Sequence, residues 1–142
     1  MMQLKVKRYS KIDLIFGDLF VGIKEKTELI VFNPPWLPAP YDAEGIDKAI
    51  YYDADLFPSF FAEAIKHLED DGRIVLLFSN LAQITKTSNS HPIEKELAEG
   101  GRFEKELFLQ KEVKAASKKT KRNQHWRTNE KVELWVLKMR QT

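Results

Sequence analysis

Asn33-Pro34-Pro35-Trp36 closes an apolar run, ELIVF from Glu28 to Phe32, and these residue types suit the holding of a planar nitrogen. Neither proline can donate to a sheet ladder and each fixes its own φ, so the strand ends in a stiff corner. The carbonyl groups near Asn33 and Pro34 are thereby kept out of any helix. An Asn carbonyl beside a backbone carbonyl makes a two-acceptor claw for an NH2 group. Trp36 supplies a flat face on which a planar group can stack. An amine or amide gripped by its hydrogens and stacked on its face has its nitrogen lone pair aimed outward. A nucleophile is positioned in this way.

Such a corner needs a sheet behind it. Four short apolar runs read as buried strands: Ile12 to Phe16, Glu28 to Phe32, Arg73 to Phe78 and Val132 to Met139. Runs rich in Ile, Val, Leu and Phe, apolar on both faces, suit the inside of a covered sheet. A fifth, Lys105 to Val113, alternates more and belongs nearer an edge. Between the second and third strands the spacing predicts a helix, with Asp55 as cap, Pro58 in the first turn and Gly72 at the end. Phe60, Phe61, Ala64, Ile65 and Leu68 fall on one face of it. A shorter helix runs from about Pro92 to Ala98 and stops at Gly100-Gly101. Helix-linked strands imply a parallel sheet, and the last two strands, with no helix between them, an antiparallel pair. The fold class is α/β, in one domain over 1–142. Asn33 then follows the carboxyl end of a parallel strand, where open α/β sheets take their ligands.

The chain of 142 residues is long enough to bury a core, and its 43% hydrophobic and 31% charged residues are those of an ordinary globular protein. No apolar run approaches the ~20 residues of a membrane span. The N-terminus MMQLKVKRYS lacks the apolar centre of a signal peptide. With no cysteine, disulfides and thiolate metal sites are excluded, and a cytoplasmic protein is expected. His67, His91 and His125 lack ligand spacing, which points to structural or solvated roles and to no metal.

Asn-Pro-Pro-aromatic after an apolar strand resembles the fourth motif of class I S-adenosylmethionine-dependent methyltransferases. More narrowly, it is similar to members that methylate planar nitrogens: the exocyclic amines of adenine, cytosine or guanine, and the side-chain amide of glutamine. FGDLF, Phe16 to Phe20, resembles the end of the family's third strand. The resemblance implies that Asp18 accepts from the cofactor's adenine amino group, that Leu19 packs on the ring, and that Asn33 serves both cofactor and substrate. RIVLLFSN resembles the fifth strand and the closing pair the sixth and seventh, in a Rossmann-like sheet of order 3-2-1-4-5-7-6. Asn33, Pro34, Pro35 and Trp36 become the catalytic corner.

The family's glycine-rich first loop and its ribose-binding acid should precede FGDLF by two βα units. Only MMQLKVKRYSKID stands there, and the six glycines include no Gly-x-Gly. The chain is therefore expected to be the C-terminal portion of a methyltransferase, with an incomplete S-adenosylmethionine site. Each residue also has a structural use: Asp18 as a turn former, Trp36 as a core aromatic, Tyr51-Tyr52 as packing before the helix. Two other functions compete. One is an inactive methyltransferase-like fragment that serves as a binding or dimerising module. The other is a nucleic-acid-binding domain based on Lys114 to Glu130, which holds six basic residues, one acid and Trp126. The expected partners are RNA or DNA, or a protein glutamine, with no membrane. A homodimer through the exposed sheet edge is a further expectation, since the order leaves the Glu28 to Phe32 strand without its neighbour. For a monomer, Ile12 to Phe16 is expected to slide into that vacancy.

Overall fold

The computed structural model describes residues 6–8, 11–38, 51–84, 90–112 and 130–141. Its centre is a four-stranded sheet of β3 (Thr27–Phe32), β6 (Leu68–Ser79), β8 (Lys131–Met139) and β7 (Phe103–Glu112), in the order β3-β6-β8-β7. β3 and β6 are parallel, with Ile30 opposite Ile74 and Phe32 opposite Leu76. β8 is antiparallel to both β6 and β7. The α/β class and the closing antiparallel pair are thus as expected, and β7 lies at an edge.

Helix α1 (Leu56–His67) crosses from β3 back to β6 and buries Phe57, Phe60, Phe61 and Ala64 against one face of the sheet. The periodicity of the aromatic residues explains this, since they recur at three- and four-residue spacing. Opposite them stand Ile30, Ile74, Leu76, Phe78, Trp135 and Leu137, all buried. Asp55 occupies the cap position of α1 but makes no side-chain cap bond. After the short helix α2 (Leu81–Ile84), the same face receives α3 (Pro92–Lys95) and the π-helical turn Glu96–Gly100 that continues it, ending at Gly101 with φ +69°. A left-handed residue after a helix is the usual place for glycine.

Gly72 does not end α1. The helix stops at His67, and Leu68 is already extended, with φ −106° and ψ 131°. Gly72 lies inside β6, where a Cβ would come within 2.6 Å of Leu68 Cδ1. Its function is close approach: the buried Leu68 side chain occupies the space that any larger residue would fill.

The first strand departs most from expectation. β2 (Asp13–Ile15) neither joins the sheet nor slides beside β3. It pairs antiparallel with β1 (Val6–Arg8), Arg8 opposite Asp13, as a separate hairpin. It is also not buried, since Ile12 is 67% and Phe16 47% exposed. A connection of residues 9–12 closes this hairpin at less entropic cost than the longer connection to β3. Among the described residues the outer edge of β3 has no strand beside it. No helix among them is long and apolar enough to cross a membrane.

Candidate functional site

β3 runs out at Phe32, which is half-buried and stacks on Phe60 with centroids 4.1 Å apart. The chain then turns away from the sheet at the two prolines. Asn33 is exposed, Pro34 buried, and Pro35 and Trp36 half-buried. Pro34 thus lies in the interior while Asn33 stands at the surface. Beyond it, β4 (Leu37–Pro38) pairs in parallel with β5 (Tyr51–Tyr52), and Tyr52 packs edge-on to Phe57 at 5.0 Å. Tyr52 is thus core packing, and burial pushes its hydroxyl up from its ordinary value.

Trp36 packs against the hydrophobic core. Its indole N–H is shielded from solvent and has no acceptor among the described residues. Shielded donors are normally satisfied, so this one is an open valence in the corner itself.

Asp18 and Leu19 lie in a pair of successive turns, closed by Val21 N–H to Asp18 O at 3.0 Å and Ile23 N–H to Phe20 O at 2.9 Å. Asp18 is exposed and Leu19 half-buried with φ +49°, an unusual conformation for a leucine and one that costs about 1 kcal/mol or more. Phe20 anchors these turns. Its ring stacks on Phe60 at 5.7 Å and on His67 at 4.8 Å. The ring nitrogens of His67 face the carbonyl oxygens of Glu63 and Ile23, each at 2.8 Å. Phe60 therefore touches both Phe20 and Phe32, so one helix residue links the FGDLF turn to the last residue of β3, with Phe20 reaching on to His67 and Phe32 to Phe57.

Sequence reasoning missed a buried polar cluster at the neighbouring strand ends. Ser79 donates to Glu130 at 3.2 Å, and Lys131 N–H to the Asn80 side chain at 2.8 Å. Deeper in, Glu133 Oε1 accepts from His91 Nε2 at 2.7 Å and from Trp135 Nε1 at 3.0 Å. His91 Nδ1 accepts in turn from the Ile93 and Glu94 N–H groups, capping α3. A carboxylate on the covered face of VELWVLKM was the available signal, because a charge at a buried strand position requires partners.

Burial alone would push the Glu133 carboxyl up. The hydrogen bonds from His91 and Trp135 outweigh it, the electrostatic attraction of the His91 ring and a bond from Gln110 add to them, and the carboxyl is held below its ordinary range. A depressed folded-state value means that Glu133 stabilises the fold above the carboxylate's unfolded pKa and loses this contribution as pH falls through the folded value. Glu133→Gln is expected to cost about 1–3 kcal/mol at neutral pH. It should also flatten the acid limb of the stability profile, and urea unfolding across acidic pH measures both effects.

A cleft of about 460 Å³ opens between the start of α1 and the α3 segment, bordered by Pro38, Tyr52, Phe57, Pro58, Pro92 and Lys95 among others. It reaches the corner only through Pro38 and does not include Asn33. Lys114 to Asn129 lies outside the described residues, as do Trp126 and His125. Among the described residues no group of three His, Cys, Asp or Glu side chains could hold a metal ion.

No protein-family model and no curated protein matches this chain. The functional conclusion therefore stands on the corner and the sheet that carries it.

Proposed function

We propose that this chain carries the nitrogen-orienting part of an S-adenosylmethionine-dependent N-methyltransferase. The observation behind the proposal is the NPPW corner at the carboxyl end of a parallel strand, together with the order of the strands beside it. β3-β6-β8-β7 is the order 4-5-7-6 that the family resemblance implies for these four runs. Asn33 is exposed beside the buried Pro34, and an Asn side-chain carbonyl next to a backbone carbonyl is the pair of acceptors that a claw for NH2 requires.

In this reading Asn33 Oδ1 and the Pro34 carbonyl accept the two hydrogens of a planar NH2, and Trp36 borders the substrate group. The cofactor supplies a methyl group on a sulfonium. Asn33 Oδ1 and the Pro34 carbonyl would stabilise the positive charge that grows on the nitrogen as it takes that methyl group. The surplus proton leaves to solvent, so no strong general base is needed. Asp18, Leu19 and Asn33 suit the adenine end of the cofactor, for the Asp18 carboxylate is open to solvent and Leu19 presents a half-buried apolar side chain. The described residues offer no comparable set for ribose and methionine. The substrate is a nucleobase amine of RNA or DNA, or a protein glutamine, since all present the same group to the claw.

Calorimetric titration with S-adenosylmethionine tests this. The chain alone is expected to bind at roughly millimolar affinity, about −4 kcal/mol. With an upstream glycine-rich strand–loop–helix attached, the affinity should tighten to the micromolar range. Micromolar binding by this chain alone would contradict the incomplete site, and no tightening on extension would contradict methyl transfer.

A further inference from the structure

We propose that His67 is a pH-sensitive clasp, which as an imidazolium fastens the turns of residues 18–23 to the carboxyl end of α1 and as a neutral ring releases them. The proposal stands on the geometry of the ring and does not depend on the methyl-transfer reading. Both ring nitrogens face main-chain carbonyl oxygens, Nδ1 that of Glu63 and Nε2 that of Ile23, each at 2.8 Å. A carbonyl oxygen only accepts, so the two contacts are both hydrogen bonds only when both nitrogens donate. The imidazolium alone has two N–H groups. A neutral ring has one, and in either tautomer its lone pair is turned on an oxygen 2.8 Å away.

The surroundings decide which contact yields. His67 is the last residue of α1, and the Glu63 carbonyl is held within that helix. Phe20 stacks on the imidazole at 4.8 Å, with 15° between the planes, and so restrains the ring. Both the carboxyl end of a helix and an aromatic face accommodate a cation. Ile23, by contrast, stands in a turn, tied through its own N–H to Phe20 O at 2.9 Å. Loss of one ring proton therefore keeps the helix contact and opens the one to Ile23. The segment thus freed includes Leu19 at φ +49°, a conformation that persists only where neighbouring contacts impose it. The charged groups around the ring stand toward solvent. Glu63 and Lys66 of α1 pair with each other at 3.4 Å. Asp18, Lys24, Glu25 and Lys26 on the turn side are exposed, as are Glu69 and Asp70 after the helix. The ring's partners are the two carbonyls, so its own proton decides whether both contacts stand. The clasped form carries the extra proton, so the clasp is closed at acid pH and opens as pH rises.

Long-range proton–nitrogen correlation spectra of the full chain read the ring directly. At about pH 5 both His67 nitrogens should carry hydrogen, and at about pH 8 one of them should have lost it. Over the same range the Val21 and Ile23 amides, which close the two turns, should lose about tenfold or more of their protection from hydrogen exchange. Protection is taken relative to the intrinsic exchange rate at each pH. His67→Gln removes the titrating ring, and the protection of both amides should then stay constant across the range. That variant keeps His91 and Glu133, so a pH dependence that persisted in it would belong to other groups and overturn the proposal. Turns equally protected at both pH values while the ring titrates would overturn it too, as would a ring with a single hydrogen at about pH 5. Should His67→Gln fail to fold, the native chain decides: ring and turns must titrate with one midpoint, and separate midpoints rule the clasp out.

Discussion

In a preparation competent for methyl transfer, Asn33→Ala is expected to lower kcat by about 10²-fold or more while leaving the cofactor affinity within a few-fold of its value. The side-chain carbonyl acts where positive charge appears only in the transition state, so its loss raises the barrier more than it weakens binding. Asn33 is exposed and the neighbouring Pro34 is buried, so truncating the side chain should remove the acceptor without loosening the corner. Transfer of labelled methyl, with cofactor affinity measured in parallel, separates the two effects. An unchanged kcat would make the corner a structural device and end the proposed chemistry.

The second large effect concerns the fold. Phe61→Ala should destabilise the protein by about 3–5 kcal/mol, a large part of a small domain's total stability. Phe61 is fully buried, with ring centroids 5.3 Å from Phe60, 6.5 Å from Phe57 and 5.6 Å from Phe103. It joins α1 to the first residue of β7, so its removal opens a cavity where helix and sheet meet. Urea unfolding followed by tryptophan fluorescence should show the loss. A cost below about 1 kcal/mol would mean that the neighbouring rings close the space, which the close packing of protein interiors argues against.

Several elements were legible in the chain because their signals are local. The runs at Glu28, Arg73 and Val132 are apolar, short and bounded by turn residues, and each became a strand of the main sheet. The spacing of Phe60, Phe61 and Ala64 marked the buried side of α1 before any partner was known, whereas Phe57 was not read from it and Leu68, read on the same face, lies in β6. Gly101 ended the second helix through its own backbone freedom. The type and order of residues in the NPPW corner likewise specify a stiff turn wherever it stands.

Contacts far apart in the chain decided the rest. Ile12 to Phe16 has a buried strand's composition, yet β1 lies within hairpin reach and captures it. Gly72 reads as a helix stop, but the packing of Leu68 against it determines its use. His91 and Glu133 are 42 positions apart, and only the register of β8 against the start of α3 makes them partners. Alternation along a strand tells which side chains share a face, but only the placement of α1 and α3 determines which face is buried against helices.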